Sequence, residues 1–313
     1  MTNISAVLTV SAQVAGAAGL VTVSSKAATW MRDKARFHQD AEFARQILGL
    51  HQHGEIAYRH DSRHVLYTGT EQLHPDNLYG LSAASGNDYK KAEVARCLEI
   101  ADSVPAQVTN DLVLIGSPTA EGLSRILFGY RQDAEDKDSL TLDDVPLDLP
   151  FRWEISKAQV DERAVARRFV AGLGLVERPN WRIVGPDRMY VPRVDEDGML
   201  QEDYLLVTKV RNYLSPSAME TDHYIVSFGG THGTGTRALS LLYRDRGILR
   251  KVAEALRTGP AAFQLLLRVG NIDHDPVRGS HARDIQLVRD AVILPDNDAV
   301  WRTAAQCVRK ELS

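Results

Sequence analysis

The stretch Gly229-Gly230-Thr231-His232-Gly233-Thr234-Gly235-Thr236-Arg237-Ala238 constrains this chain more than any other, because of what stands on either side. Before it runs an apolar, strand-like segment, His223-Tyr224-Ile225-Val226-Ser227-Phe228. After it, Ala238-Leu239-Ser240-Leu241-Leu242-Tyr243 reads as the first turns of a helix. Strand, glycine-hydroxyl loop, helix is an arrangement that offers backbone N–H groups and a helix N-terminus to an anion. Glycine lets the backbone come close to a ligand, and threonine adds hydroxyl donors. Gly230, Thr231, Gly233, Thr234, Gly235, Thr236 and Arg237 are therefore the candidate ligand-binding residues. Arg237 is suited to pair bidentately with a phosphate or carboxylate.

The loop completes no strong fingerprint. Gly230 and Gly235 have P-loop spacing, but Thr236 stands in the lysine position and Arg237 in the Ser/Thr position, which argues against a P-loop NTPase. Gly233-x-Gly235-x-x-Ala238 fits a degenerate dinucleotide pattern, yet no acidic residue ends a second strand about 20 residues later.

A quieter version of the same design lies upstream. Asp111-Leu112-Val113-Leu114-Ile115 has parallel-strand character, Gly116-Ser117-Pro118-Thr119 follows, and Leu123, Ile126 and Leu127 then have helical spacing. Ser117 or Thr119 is placed to cap that helix, so Gly116, Ser117 and Thr119 join the candidate site. In open α/β sheets ligands lie beyond the carboxyl ends of the strands, and two such loops can face one crevice. The alternative is one continuous sheet with a single site, or none. At the level of fold alone, the paired units resemble Rossmann-like nucleotide or sugar-nucleotide binders, a likeness that does not establish activity.

From Thr2 to Ser25 the chain has no charged residue, and Lys26, Arg32, Lys34 and Arg36 follow with Trp30 among them. About 20 mostly apolar residues suffice to cross a bilayer, and the basic flank places the remainder in the cytoplasm. The competing reading is a soluble, Ala-rich helix packed on the body. Ala15 and Gly19 have the small-residue spacing that lets membrane helices approach, which points to a homo-oligomer. The two cysteines, Cys97 and Cys307, imply neither a disulfide framework nor a metal site. A net charge of −4 gives no reason to expect nucleic-acid binding.

The expected architecture is α/β: two Rossmann-like strand–loop–helix units with an intervening β-rich segment, preceded by an N-terminal helix that serves as a membrane anchor. Residues 1–36 form the anchor and juxtamembrane segment, and 37–313 the body. Within the body the first half covers about 55–150, the β-rich segment about 151–215 and the second half about 216–313. Residues 26–50 read as an amphipathic helix, 89–102 as another helix, 132–150 as an acidic surface loop, and 299–311 as a closing helix. The runs Phe263–Val269 and Ile285–Arg289 read as strands of a hairpin.

Chemistry is sparse. Asp273, His274, Asp275 and His281 crowd into one connection, and His60, Asp61 and His64 into another, but residue types alone do not make a coordination site. No metal and no named cofactor is assigned. His232, inside the glycine loop, is the one candidate general acid or base. Three functions follow: a membrane-tethered cytoplasmic module that binds a nucleotide or other small anion, as a sensor or signalling component; an enzyme acting on a nucleotide or sugar-nucleotide through His232; or a structural or interaction protein without a small-molecule site.

Overall fold

The computed structural model of the chain describes residues 54–60, 63–69, 111–119, 124–125, 128–132, 139–142, 147–155, 165–213 and 216–312. The expected N-terminal anchor and the 26–50 and 89–102 helices lie outside these residues. Most of the helical stretch around 123–127 and the 133–138 and 143–146 parts of the acidic loop do too. Among the described residues no helix is long and apolar enough to cross a membrane.

Strand accounts for 46% of the described residues and helix for 21%, so sheet sets the architecture, curled as a half-barrel. The main sheet collects β1 (Gly54–His60), β2 (Arg63–Gly69), β3 (Asp111–Ile115), β12 (Leu200–Arg211), β13 (Tyr224–Gly230), β14 (Phe263–Asp275) and β15 (Gly279–Leu287). Their order is β15-β14-β12-β13-β3-β1-β2, with β11 (Arg193–Val194) paired to β12 and β16 (Val292–Ile293) paired to β14. Three neighbours, β1, β3 and β13, run parallel, while the remaining pairings are antiparallel. The strands that lead the two strand–loop–helix units are thus hydrogen-bonded partners within one sheet, with Ile225 opposite Leu112 and Phe228 opposite Ile115. The described strands do not by themselves establish paired Rossmann-like halves.

Alternation along the central strands divides two cores. Leu205, Val207, Val226, Phe228, Leu265, Leu267 and Val269 face one side, where Ala238, Leu239, Leu242, Ile248, Leu249 and Val252 pack on them. The latter come from α3 (Leu239–Arg244), α4 (Arg246–Ala255) and the residue before them. Asp245 begins α4 by accepting hydrogen bonds from Gly247 and Ile248, an ordinary N-cap. Tyr204, Leu206, Val210, Ile225 and Leu266 face the other side, against Phe151, Trp153, Ile183, Tyr190 and Trp301. A sheet covered on both faces reads as nearly continuous apolar runs, which is how these strands look in sequence.

Around this sheet stand smaller elements. β6 (Arg152–Glu154), β9 (Arg182–Val184) and β10 (Met189–Tyr190) make a three-stranded sheet, and β4 (Tyr130–Gln132) pairs with β5 (Leu140–Leu142). The helices α1 (Pro216–Glu220) and α5 (Asp298–Leu312) complete that flank, with Tyr213 stacked on Trp301 at a centroid distance of 6.2 Å. The hairpin of β7 (Val165–Val170) and β8 (Gly174–Pro179) is separate from all of these. It is tied to the far end of the main sheet by Phe169 N donating to Ser280 Oγ at 2.8 Å. The β-rich segment between the two units divides: its short strands stand outside the main sheet or at its edge, whereas β12 belongs to the main sheet itself. It pairs with β13 on one side and β14 on the other, well inside the sheet.

Candidate functional site

The two glycine loops meet at the carboxyl ends of β3 and β13. Gly116 N donates to Phe228 O at 2.9 Å, which carries the parallel ladder one step past β3. A side chain at Gly229 would lie 2.7 Å from Trp153 Cζ2 and 3.0 Å from Ser117 Cα, so the loops fit only with glycine there. In the first loop Gly116 takes a φ of 136°, its carbonyl accepts from Ser124 Oγ, and Ser117 Oγ pairs with Thr119 Oγ1 at 2.9 Å. Arg125 Nε donates to Pro118 O. Polar groups of this loop find partners close at hand.

The second loop is organised from further away. Gly233–Arg237 forms a short helix, α2, so the expected glycine loop is helical over its second half. No side chain of the preceding residue, His232, caps it. The amides are held instead by Asp203, which lies on β12 and is fully buried. Oδ1 accepts from His232 N at 3.2 Å and from Tyr204 N at 2.8 Å, and Oδ2 accepts from Gly235 N at 2.5 Å. Thr231 N donates to Tyr204 O, and Gly230 N to Thr236 Oγ1. Any side chain at Gly235 would collide with the Tyr204 carbonyl and approach Asp203 Oδ2 to 2.9 Å. A carboxylate of the chain itself therefore occupies amides that the sequence pattern offers to an anion.

Burial and charge give the loop an unusual electrostatic setting. Burial pushes the Asp203 carboxyl up to about 7, against the pull of the Tyr204, Gly235 and His232 amides and of Arg168. Arg168, on β7, lays its guanidinium over Gly233, with Nη2, Cζ and Nη1 at 3.1–3.3 Å from where a Cβ would stand. Its own affinity for its proton is lowered, first by burial and then by Arg237 and Arg178, while Asp203 opposes that. Three buried polar atoms of this region have no hydrogen-bond partner among the described residues: Thr231 Oγ1, Thr234 Oγ1 and Arg168 Nε. Buried polar groups are nearly always paired, so such a group asks for an explanation, an absent ligand among them.

His232 is buried as well. Asn180 Nδ2 donates to Pro192 O, which turns Asn180 Oδ1 toward the ring, so His232 Nε2–H donates to it at 3.1 Å. Burial, reinforced by Arg168, pushes this imidazole down to about 3. It is neutral throughout the physiological range, and as a base it is too weak to accept a proton efficiently at pH 7. Arg237 lies at the end of α2 against the β14–β15 turn, its Nη1 at 2.9 Å from where a Gly279 side chain would begin.

The structure thus brings Gly116 and Ser117, with Thr119 bonded to Ser117, up against Phe228 and Gly229 at the start of the second loop. Gly230, Thr231, His232, Gly235 and Thr236 are tied to one another, to Asp203 and to Tyr204, and Gly233 lies under Arg168. The structure adds Asp203, Arg168 and Asn180, which sequence reading missed. Asp203 had one visible signal, an acidic residue at the head of the apolar run Tyr204-Leu205-Leu206-Val207. The Asp/His connection serves a structural end. His274 is held at both ring nitrogens, by Ser280 Oγ and Leu200 O, and Asp273 pairs with Arg283 and with His281. The side chains of His60, Asp61 and His64 lie outside the described residues. Compared with family models, curated proteins and solved structures, the chain shows no significant match to any of the three.

Proposed function

We propose that residues 37–313 form a module that binds a small anion, a nucleotide or another phosphate-bearing compound, at the 229–238 loop. In this reading residues 1–36 tether the module to the membrane with the body in the cytoplasm, an arrangement suited to a sensor or signalling component. The tether is supported by the uncharged Thr2–Ser25 run and its basic flank alone.

The observation that carries the binding reading is unused hydrogen-bonding capacity. Among the described residues, Thr231 Oγ1, Thr234 Oγ1 and Arg168 Nε around one loop are buried without a partner, and all three are donors that suit an anion. The adjoining Gly116–Thr119 loop lies at the carboxyl ends of the same parallel strands, the place where open α/β sheets hold ligands. The catalytic alternative is the weaker one, since His232 combines a depressed pKa with a ring nitrogen committed to Asn180.

The test is a stability screen of the full-length protein against nucleotides, sugar-nucleotides and phosphate. A true ligand at about 100 times its Kd adds roughly 2.7 kcal/mol to stability, and Arg168→Ala removes that gain. If no compound of these classes stabilises the protein, the reading is wrong. Turnover of a hit that disappears in His232→Ala while binding persists would favour the enzyme instead.

A further inference from the structure

Asp203 stands in two relations to the loop at once. Its carboxylate builds the loop by accepting from the Tyr204, His232 and Gly235 amides. It also lies within electrostatic reach of Arg168, whose guanidinium packs over Gly233 in the loop. Two negative charges side by side in a buried site repel strongly, because little water is present to screen them.

We propose that anion binding at the 229–238 loop is coupled to uptake of one proton by Asp203, and that the ligand group is a small dianion of the phosphoryl type. This rests on the binding reading above. On binding, a solvent proton goes onto a carboxylate oxygen of Asp203, and no other covalent bond changes. With the proton on Oδ2, that oxygen becomes an O–H donor and the Gly235 amide is released, while Oδ1 keeps the Tyr204 and His232 amides. The released N–H, the Thr231 and Thr234 hydroxyls and Arg168 then surround the anion. The neutral carboxyl keeps its second oxygen on the remaining amides, which leaves the loop in place.

The other titratable groups around Asp203 do not confuse the coupling. Arg168 faces it from β7, with Arg178 on β8 and Arg237 on α2 acting on Arg168 in turn. His232, on the loop, stays neutral because it is pushed down to about 3. The Tyr204 phenol, next along β12 and bonded to Glu202, is pushed up to about 12. Val269 is the residue opposite Asp203 on β14 and carries no charge. Burial places the Asp203 titration itself near neutrality, so the coupling falls within reach of ordinary buffers.

Sulfate is the probe of choice, since its charge is constant between about pH 5 and 9, and a nucleoside diphosphate is run beside it. Titrations of the full-length protein should give a sulfate affinity that is level below about pH 7 and weakens about tenfold per pH unit above it. Calorimetry at pH 8 in two buffers of different ionisation enthalpy should show about one proton taken up per sulfate. Asp203→Asn should bind sulfate with no dependence on pH. Equal wild-type affinities at pH 6 and 8.5, without proton uptake, would sink the coupling and leave the binding reading standing. Failure of wild type and Asp203→Asn alike to bind sulfate, phosphate or the diphosphate at pH 6 would sink the binding reading and the coupling with it. The wild-type calorimetry decides the matter even where the variant fails to fold.

Discussion

Two loops end neighbouring parallel strands in this protein, and they settle their polar groups in opposite ways. Apart from the Gly116 amide, which donates to Phe228 O, the Gly116–Thr119 loop is served locally: Ser117 bonds Thr119, and the Gly116 and Pro118 carbonyls accept from Ser124 and Arg125, a few residues on. The 229–238 loop depends on Asp203, 29 residues before His232 and 32 before Gly235. After that help it still holds two buried hydroxyls, of Thr231 and Thr234, with no partner among the described residues. Loops built of the same residue types thus differ in what remains once the backbone is satisfied. A local network leaves nothing over, whereas a long-range one can hold donors ready for something else.

The sharpest way to break the comparison is to remove the close approach on which the second loop depends. Gly235→Ala places a methyl group into the Tyr204 carbonyl and beside Asp203, and should cost about 4 kcal/mol or more. Denaturant unfolding of full-length protein reads it. A loss below about 1 kcal/mol would mean that the loop is not held as described.

Asp203→Asn comes next. It keeps the shape but turns one acceptor into a donor facing an amide, and should cost about 2–3 kcal/mol at pH 7. The pH dependence sharpens this further. The Asp203 pKa is raised in the folded state, so its contribution is full below the ordinary carboxyl value and is lost as pH rises through about 7. The stability gap between wild type and variant should therefore widen by about 1.4 kcal/mol per unit as pH falls from 7 to 4. His232 works in the other direction, since its pKa is depressed from 6.5 to about 3 and its contribution is lost as pH falls through that window. Between about pH 4 and 6.5 the two nearly cancel in the wild type, which keeps its stability level there, while Asp203→Asn becomes acid-labile. A gap that stays constant with pH would show that Asp203 is not the buried, titrating group described.

The same contrast explains what could be read from sequence. The strands at 111–115 and 224–230 and the pairing of Phe263–Val269 with Ile285–Leu287 follow from apolar runs and the turn between them, which are local signals. The length of β12 does not, because Gln201, Glu202, Thr208, Lys209 and Arg211 interrupt its apolar pattern. Lys209 is tolerated in the sheet by lying over the Tyr224 ring, 3.9 Å from its centroid, a contact between separate strands. Gly233-Thr234-Gly235-Thr236-Arg237 has poor helix propensity and reads as a loop, yet it closes into α2 because distant groups hold its start. Arg168 and Asn180 reach the site from a hairpin and its end, with no motif to announce them. The glycines and threonines of the site, with Ser117 and His232, were legible, since they stand inside local strand–loop–helix patterns.

The first loop supplies the small effect. Ser117→Ala removes one side of a partly buried hydroxyl pair and should cost about 1 kcal/mol or less of ligand-free stability. A loss of several kcal/mol would make the two loops alike in their structural weight.

The central claim is that the second loop keeps donors for an anion, and Thr234→Val tests it most directly. The change preserves shape and removes a buried hydroxyl that has no partner among the described residues. Ligand-free stability and the ligand-induced gain are measured together on the full-length protein, by thermal unfolding with and without the best-stabilising anion. The account predicts that Thr234→Val leaves ligand-free stability level or raises it by about 1 kcal/mol, because no bond is lost and a desolvation penalty is relieved. It also predicts that the ligand gain falls by about 1–2 kcal/mol. A variant that is less stable without ligand, and that keeps the full ligand gain, would contradict the account.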